Sequence, residues 1–545
     1  MNAIDLFDRT AERMGATPAI LWGRVPNARS STFAALAERS RRMATLFAQE
    51  GLAPGDAVLV LLPVSGTFFA VTAALMRAGL TAVFVDPAAW RVTLPAALGG
   101  ARVRGVVGSP AACALRWWLP ALRRIPHAFV AGHWPGARPL AAAESLPPLE
   151  APVACDADSV ALVSFTSGTT GNPKGVLRTH AVLVATQRML TDVLEFREGE
   201  THLSVLPFVV LASLSAGATS VLADGDLTHP AHFDPARIAA QIRAHRVGVV
   251  VASPTIADRL AAHATATSAF DSVQRVYLGG APVLPSLLDR WRVAAPGARI
   301  TVLYGATEAE PIASLPADAY GSEERQATRE GAGVLVGPPL QGVDLRIIAD
   351  RHGTAVGPCT DAEFEALSLA PGVEGEIVVA GTHVAPGYLG DTDNLLAKIE
   401  TRARRWHRTG DAGYLDPRGR LWLTGRCSNR IALGPTTTHT LRVEAALAFD
   451  PAVARAAFLQ HGDQRLLVIE PAETDTPLPL DRIAAQVAFA NPDAIAVIDR
   501  MPMDARHHAK VDYPRLVADV AAGRLRSRQS LARGKPLELR PGSGG

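Results

Sequence analysis

Short apolar runs alternate with helical patterns of apolar and polar positions over most of the chain. DAVLVLLP (56–63) predicts a strand, a helical pattern follows through ALMRAG, and TAVFVDP (81–87) predicts the next strand. GVVVASP, RVYLGGAP and ITVLYGATE repeat such β-rich runs, each bounded by Gly or Pro. The rhythm predicts an α/β fold with mostly parallel sheets flanked by helices. Ligands of such sheets collect at the loops that leave the strand C-termini.

The pattern of apolar and turn-forming residues changes from about residue 370. VEGEIVVAGTHVAPGYLG and GYLDPRGRLWLTGR resemble antiparallel strands joined by Gly-rich turns. We therefore expect a large N-terminal domain over 1–425 and a small mobile α+β C-terminal domain over 426–522. The polar, Gly- and Arg-rich segment 523–545 is expected to be a disordered tail.

Length and composition agree with a protein of more than one domain. The chain has 545 residues, more than one ordinary core accommodates. A hydrophobic content of 48%, a charged content of 19% and a net charge of +2 are those of a globular protein without a nucleic-acid-binding bias.

The N-terminal segment MNAIDLFDRTAERMG predicts an amphipathic helix with acidic residues rather than a secretion signal. The most apolar stretch, 68–87, is interrupted by Arg77, so it predicts a buried helix and strand rather than a membrane span. RWWLPALRR (116–124) could contact a membrane or a long acyl chain, but an amphipathic helix with packed aromatic rings is the favoured interpretation.

The four cysteines are far apart in the sequence and form no CxxC pair, so they suggest neither a zinc site nor a disulfide framework. A reducing cytoplasm is the expected location. The cysteines are Cys113, Cys155, Cys359 and Cys427.

Only four of the 54 basic residues are lysines: Lys174, Lys398, Lys510 and Lys535. A chain that uses arginine for almost every positive charge draws attention to the lysines, because a compact ammonium on a flexible stem suits some chemistry better than a planar guanidinium. Chance is a sufficient explanation for Lys535 in the polar tail. Lys174 and Lys510 both lie in motifs.

Lys174 belongs to TSGTTGNPKG (166–175), which follows the predicted strand ALVSF. Hydroxyl residues and three glycines make a flexible loop whose amides can approach phosphate oxygens. The spacing is not that of a Walker A loop, because Gly175 rather than Ser or Thr follows the lysine. The alternative is an ordinary surface turn.

With four further strings in the same order, this loop resembles the signature of the adenylate-forming superfamily, which includes acyl-CoA synthetases, peptide-synthetase adenylation domains and luciferases. The strings are GGAP (279–282), YGATEAE (304–310), HRTGD (407–411) and GR (425–426), and Ala509–Lys510 completes the set. Motifs in order along nearly the whole chain are more specific than any one alone.

The resemblance implies an ATP and Mg²⁺ site. Thr307 and Glu308 would touch the α-phosphate and the magnesium, and a carboxylate after a predicted strand suits that hard cation. Asp411 would accept the ribose hydroxyls, and Gly279 with its neighbours would let adenine lie against backbone. Taken singly, each could be an ordinary turn residue. The ATP-binding residues implied are Thr166, Ser167, Gly168, Thr169, Thr170, Lys174, Gly280, Ala281, Tyr304, Asp411 and Arg426.

Lys510 corresponds to the superfamily lysine that reaches from the C-terminal domain and steadies the α-phosphate and the carboxylate while pyrophosphate leaves. Domain closure then becomes a condition for the chemistry. Arg426 and Ser428 fall at the expected hinge, where the superfamily usually has Asp or Lys at the position of Ser428.

The sequence defines less clearly which nucleophile accepts the acyl group from the acyl adenylate in the second step of the reaction. Many acyl-CoA synthetases continue with KxxGxxVxPxEIE, whereas this chain has CSNRIALGPTTTHTLRVEAAL (427–447) without that Lys and Pro. Pantetheine binding is therefore in doubt. Several strings, among them MPMDARHHAKVDYP (501–514), resemble the β-lactone synthetases of bacterial olefin biosynthesis. Departures at Cys427, Asn429 and His508 leave the substrate open.

That resemblance implies a β-hydroxy acid whose own hydroxyl attacks the acyl adenylate and closes a lactone. His507 and His508 could deprotonate the hydroxyl or orient Lys510, although a packing or surface role is slightly favoured. The apolar segment 207–217 would hold an aliphatic acyl tail, and it also reads as core.

Three hypotheses follow. The first is a β-lactone synthetase, the second is an acyl-CoA or acyl-AMP ligase that serves CoA or a carrier protein, and the third is a non-catalytic nucleotide-binding relative. Thiolase-like and reductase-like partner enzymes would suit the first, and no nucleic-acid partner is expected.

Overall fold

The computed structural model describes residues 2–85, 90–167, 173–225, 233–264, 270–434, 436–473, 476–504, 510–527, 529–532 and 540–541. Helices and strands alternate through the first part of the chain, as the apolar pattern predicts. These elements are α1 (Ile4–Met14), β1 (Pro18–Trp22), β2 (Arg29–Thr32), α2 (Phe33–Gln49), β3 (Ala57–Leu61), α3 (Gly66–Arg77), β4 (Thr81–Phe84), α4 (Trp90–Gly100), β5 (Val103–Gly108), α5 (Pro110–Trp118), α6 (Pro120–Arg123), β6 (His127–Val130), β7 (Arg138–Pro139), β8 (Val160–Ser167), β9 (Pro173–Thr179), α7 (His180–Leu194), β10 (Thr201–Ser204), α8 (Pro207–Ala216) and β11 (Thr219–Leu222).

The middle of the chain changes from alternating elements to mostly strands. These elements are α9 (Pro235–Ala244), β12 (Val249–Ala252), α10 (Pro254–Ala264), β13 (Arg275–Gly279), α11 (Pro285–Ala294), β14 (Arg299–Ala306), β15 (Ala309–Pro316), α12 (Ser322–Arg329), β16 (Val334–Gly337), β17 (Asp344–Ile348), α13 (Asp361–Leu367), β18 (Gly375–Ala380), β19 (Gly387–Tyr388), α14 (Asp391–Ala397), β20 (Lys398–Glu400), β21 (Arg405–Leu415) and β22 (Leu421–Arg426).

The last part of the chain is a smaller α+β unit, and the 3₁₀ turn Cys427–Asn429 precedes its first strand. Its elements are β23 (Arg430–Leu433), β24 (Thr436–His439), α15 (Thr440–Leu447), β25 (Val453–His461), β26 (Gln464–Pro471), α16 (Leu480–Gln486), β27 (Ala494–Val497), α17 (Tyr513–Ala521), β28 (Arg526–Ser527), β29 (Gln529–Ala532) and β30 (Arg540–Pro541). Further 3₁₀ turns cover Leu140–Ser145, Ala317–Ala319 and Ala488–Ala490.

Local sequence signals explain where several helices begin. The side chains of Thr32, Ser65, Ser109 and Thr179 each accept a hydrogen bond from the backbone N–H three residues later. Such caps satisfy a backbone donor that the first helical turn leaves without a partner.

Two eight-stranded sheets form the large part of the molecule. One has the order β15-β14-β13-β12-β10-β11-β1-β2, and the other has the order β19-β9-β8-β4-β3-β5-β6-β7. Their inner strands pair in parallel, whereas β2, β15, β9 and β19 add antiparallel pairs. The predicted α/β fold class with mostly parallel sheets is therefore confirmed.

A third sheet is antiparallel and has the order β16-β22-β21-β18-β17, with β20 paired to β21. It agrees with the antiparallel strands that the sequence pattern predicts from about residue 370, although its first strand already begins at Val334. The C-terminal unit adds the sheet β25-β26-β27-β29 and the hairpin β23-β24.

Helix α15 joins the third sheet to the C-terminal core. Leu441 and Ala445 pack in one buried cluster with Val334 and Leu421, while Val443 packs in a second cluster within the C-terminal unit. One short helix therefore contributes side chains to both buried clusters.

Two expectations differ from the structure. Gln529–Ala532 pairs in antiparallel register with Ala494–Val497, so this part of the expected tail belongs to a sheet. The aromatic rings of the α5 region are not packed as expected, because Trp117 is 64% exposed and Trp118 is 81% exposed. None of the described helices is both long and apolar enough to cross a lipid bilayer.

We predict that Gly413→Ala disturbs the β21–β22 pairing. A Cβ at Gly413 would overlap the carbonyl oxygen of Trp422 and lie 3.1 Å from Ile377 Cδ1. The variant should lose about 2–3 kcal/mol of unfolding free energy in urea, because backbone must shift to relieve the overlap. Gly297→Ala is the matched control, since a Cβ there meets no atom within 4 Å. Equal stability of the two variants would contradict the expected overlap at Gly413.

Candidate active site

Several of the sequence-predicted residues lie at or beside the turn between β14 and β15. Tyr304 lies near the end of β14, and Thr307 and Glu308 form the turn. Arg178 of β9 fixes this turn, because its guanidinium donates to the Thr307 carbonyl oxygen at 2.8 Å and pairs with Glu310 at 3.3 Å. The turn is therefore held in place from the neighbouring sheet.

Asp411 is held from two sides. Its Oδ2 accepts a hydrogen bond of 2.9 Å from the Tyr304 hydroxyl, and its Oδ1 lies 3.0 Å from Arg426 Nε. Asp411 and Arg426 are register partners across β21 and β22, so sheet pairing sets their contact. Thr409 supports the turn by accepting a hydrogen bond from the Asp411 N–H at 3.0 Å.

The electrostatics keep this group in a defined charge state. The Asp411 carboxylate raises the pKa of Arg426, while burial raises the pKa of Tyr304 well above its usual value, with a further contribution from Asp411. The tyrosine is therefore a neutral donor, and the guanidinium stays charged. The cluster presents a fixed carboxylate next to a fixed cation.

Glu308 has a partner that lies outside the sequence motifs. The Tyr388 hydroxyl donates to Glu308 Oε1 at 2.6 Å, and the Ala385 N–H donates to the Glu308 carbonyl oxygen at 2.7 Å. Burial raises the pKa of Tyr388, and the Glu308 carboxylate adds to that effect. Tyr388 therefore orients the carboxylate as a neutral donor.

Lys174 approaches the same tyrosine from β9. Its Nζ lies 3.3 Å from Asp393 Oδ1 and 5.5 Å from the centroid of the Tyr388 ring. Thr166 is the register partner of Lys174, so the hairpin β8–β9 brings both ends of the Ser/Thr/Gly loop together. A Cβ at Gly175 would lie 2.7 Å from Leu389 Cδ1 and 2.9 Å from Phe165 Cζ, which explains glycine at this position.

Lys398 is a second lysine beside Tyr388, and none of the sequence motifs includes it. It is 6% exposed, its Nζ donates to the Ala385 carbonyl oxygen at 2.6 Å, and it lies 5.9 Å from the Tyr388 ring centroid. Burial lowers the pKa of Lys398 to about 7. Its only sequence signal is the scarcity of lysine in the chain.

The GGAP segment leaves the end of β13. Gly280 has φ +88°, a conformation that favours glycine, and a Cβ at Gly279 would lie 2.8 Å from the Leu303 carbonyl oxygen. Ala281 follows directly after Gly280. The backbone at Gly279 therefore lies close to the backbone of β14.

Several predicted residues lie elsewhere or outside the described part of the chain. Ser428 is exposed in the 3₁₀ turn after Arg426. Lys510 lies before α17, where its N–H donates to Asp504 Oδ1 at 3.0 Å. Residues 168–172 and 505–509 are not described, so Gly168, Thr169, Thr170, His507 and His508 stay predictions, as do the side chains of Thr166 and Ser167.

Comparison with known proteins identifies the class of this protein, an adenylate-forming ligase, and its family. The model of the AMP-binding enzyme family matches residues 7–389. The chain belongs to this family. Its structure is similar to that of the amide bond synthetase McbA from Marinactinospora thermotolerans, with a TM-score of 0.77 and 23% identity over 95% of this chain and 99% of the other.

Two curated relatives are similar over most of their length, and both are named olefin beta-lactone synthetase. The protein from Stenotrophomonas maltophilia is 32% identical over 89% of this chain and 90% of its own. The protein from Xanthomonas campestris pv. campestris is 31% identical over 91% of each chain.

We predict that Lys398 makes stability rise with pH between about 7 and about 10. The unfolded lysine has a pKa near 10.4, so over this range the unfolded chain binds more protons than the folded chain does. Lys398→Met removes that difference in bound protons. The free energy of unfolding of this variant, relative to that of the unmodified chain, should therefore be highest near pH 7 and fall towards pH 10. Urea unfolding at several pH values measures the slope.

Arg402→Met is the control for this measurement, because Arg402 is an exposed basic residue in the short segment between β20 and β21. Its slope should match that of the unmodified chain. A Lys398→Met slope that also matches would show that the buried amine does not titrate in this range.

Proposed function

We propose that this chain activates a β-hydroxy carboxylic acid with ATP and converts the acyl adenylate to a β-lactone with release of AMP. The observation that carries the proposal is the similarity to two olefin beta-lactone synthetases along about nine-tenths of each chain. The described site supplies the fixed charges that such chemistry needs.

The nucleotide would lie between the β14–β15 turn and the third sheet. The Asp411 carboxylate, oriented by Tyr304 and Arg426, would accept the two ribose hydroxyls. The backbone at Gly279 and Gly280 would lie against the adenine ring. The loop before Lys174 would surround the phosphates, whose oxygens would compete with Asp393 for the Lys174 ammonium.

Glu308 suits a magnesium ion. It offers a carboxylate oxygen, the hard ligand that Mg²⁺ prefers, and the ion usually completes its shell with water and substrate phosphates. Tyr388 orients the carboxylate through Oε1. The bound ion would neutralise phosphate charge, while Tyr388 and Arg178 would hold the turn that presents Glu308.

In the first step a carboxylate oxygen of the acid attacks the α-phosphorus of ATP, and the bond to the bridging oxygen of pyrophosphate breaks. Lys510 would steady the α-phosphate and the incoming carboxylate. This role requires the C-terminal unit to move as a domain, and we propose a boundary at residues 425 and 426, a C-terminal domain to residue 522 and a hinge at Ser428.

In the second step the β-hydroxyl oxygen attacks the acyl carbon, the bond from the acyl carbon to the AMP oxygen breaks, and the hydroxyl proton is released. The nucleophile belongs to the substrate, so orientation replaces a second binding event. His507 or His508 would accept the proton under this proposal. The mixed anhydride supplies the free energy for ring strain.

The acyl tail would lie against α8. Its side chains Val209, Val210 and Leu214 are buried, whereas Phe208 is only partly buried. An apolar helix without a charged partner for an amine favours an aliphatic acid over an amino acid. Thiolase-like and reductase-like partner enzymes stay predictions.

The direct test is incubation of the purified protein with ATP, Mg²⁺ and a 2-alkyl-3-hydroxy acid, with and without CoA, followed by mass spectrometry. We expect AMP and a product one water lighter than the acid in both reactions, because the nucleophile is internal. A product that forms only with CoA and has the mass of its thioester would overturn the lactone proposal in favour of an acyl-CoA ligase.

We also predict that Lys510→Ala lowers acid-dependent pyrophosphate release by about 100-fold or more, as expected for loss of a group that stabilises transition-state charge. Arg515→Ala is the matched control, since it removes a cation from the exposed surface of the adjacent helix. Unchanged pyrophosphate release in Lys510→Ala would refute the role of Lys510, whereas a loss in both variants would point to the fold of this unit.

A further inference from the structure

Three metal-ligating side chains converge beside the predicted hinge. Asp350 follows β17, Cys427 opens the 3₁₀ turn after β22, and His439 ends β24. One ligand atom from each lies within 4.8 Å of the other two. Cys427 and His439 are each 1% exposed, and the Asp350 side chain is 13% exposed. Asp350 is distant in the sequence from the other two residues, and folding brings the three together.

The cluster contains polar atoms that the described residues leave without a hydrogen bond. These are Nε2 of His439 and Oδ2 of Asp350. They lie 3.7 Å apart, which is too long for a hydrogen bond between them. A buried imidazole nitrogen and a carboxylate oxygen that face each other across such a gap cost free energy unless something lies between them.

A second carboxylate contacts the other ring nitrogen of His439. His439 Nδ1 lies 2.6 Å from Glu374 Oε1, and Arg442 holds the other oxygen of Glu374 at 3.0 Å. A carboxylate that accepts the Nδ1–H fixes the tautomer whose Nε2 lone pair can bind a metal. This carboxylate–histidine arrangement commonly supports metal-ligating histidines.

We propose that Cys427 Sγ, His439 Nε2 and Asp350 Oδ2 bind a divalent cation of the zinc class. Ligand bonds of about 2.0–2.3 Å to a tetrahedral ion place the ligand atoms roughly 3.3–3.6 Å apart, so the observed 3.7 Å gap needs little closure. Thiolate, imidazole and carboxylate together favour Zn²⁺ over Mg²⁺ or Ca²⁺. A water molecule would supply the fourth ligand.

Charge balance is compatible with this assignment. The Cys427 thiol releases its proton on binding, and the thiolate and carboxylate then offset the two charges of the ion. Arg430 lies 3.6 Å from the same Asp350 oxygen, but its side chain is 51% exposed and can turn to solvent. In the metal-free chain, a protonated His439 between Asp350 and Glu374 is the competing arrangement.

The site joins two parts of the chain. Asp350 and Glu374 belong to the region of the third sheet. Cys427 precedes Ser428 and the β23–β24 hairpin, and His439 is the last residue of that hairpin. A bound ion would tie the hairpin to the sheet and stabilise this orientation of the C-terminal unit. Binding of the ion does not depend on the proposed adenylation chemistry.

Cobalt binding to the full chain tests the proposal without an activity assay. The protein is freed of metal with a chelator and titrated with Co²⁺, which gives a near-ultraviolet charge-transfer band when a thiolate is a ligand. We expect such a band to saturate at one ion per chain and to disappear when Zn²⁺ is added. Absence of the band would overturn the proposal.

Variants identify the ligands. Cys427→Ser should abolish the band and His439→Gln should weaken Co²⁺ binding at least 10-fold, whereas Cys359→Ser, which removes a thiol elsewhere in the chain, should bind as the unmodified protein does. A band that survives in Cys427→Ser but not in Cys359→Ser would contradict the assignment.

X-ray absorption of the unmodified chain loaded with one equivalent of Zn²⁺ keeps the proposal testable if Cys427→Ser does not fold. We expect one sulfur ligand at about 2.3 Å together with nitrogen and oxygen ligands. A shell of nitrogen and oxygen alone would overturn the proposal.

Discussion

The contact between Asp411 and Arg426 is the constraint on which the rest of this site depends. The two residues are register partners across β21 and β22, and the ion pair is 3.0 Å long. A slip of one residue by either strand would turn the side chain of that strand to the opposite face of the sheet and separate the pair. The same pairing therefore positions both Asp411, whose carboxylate is proposed to bind ribose, and Arg426, which precedes the 3₁₀ turn.

The two acidic groups of the site are oriented in similar ways. Tyr304 donates to Asp411, and Tyr388 donates to Glu308, at 2.9 and 2.6 Å respectively. Buried tyrosines whose pKa is raised stay neutral, so they orient a carboxylate without neutralising it. Lys174 and Arg426 supply fixed positive charge nearby. In the proposed reaction, such a site would be organised before the phosphates of ATP bind, which lowers the cost of reorganisation.

Sequence reasoning predicted the features that short-range patterns carry. The alternation of strands and helices indicated the parallel sheets, and the ordered motifs indicated Glu308, Asp411 and Arg426. It missed Tyr388 and Lys398, because their roles arise only when β19 and β20 come beside the β14–β15 turn. Local patterns do not reveal such contacts between distant elements.

The cysteine spacing contains no CxxC pair, so the sequence suggested no zinc site. Cys427 meets Asp350 and His439 only after the third sheet and the hairpin have formed, and spacing along the chain does not reveal that cluster. Trp117 and Trp118 show the opposite case, in which an amphipathic pattern predicted packing and the short α5 leaves both rings exposed. Apolar residue type alone does not determine burial.

In the proposed reaction ATP activates the carboxylate of the acid and not its hydroxyl. The most direct test is a reaction with an acid that carries ¹⁸O in both carboxylate oxygens, followed by mass spectrometry of the lactone and the AMP. Attack of the carboxylate on the α-phosphorus and later loss of AMP leave one labelled oxygen in AMP and one in the lactone. AMP without label and a lactone that keeps both labelled oxygens would show that the hydroxyl is activated instead, and would contradict the proposed mechanism.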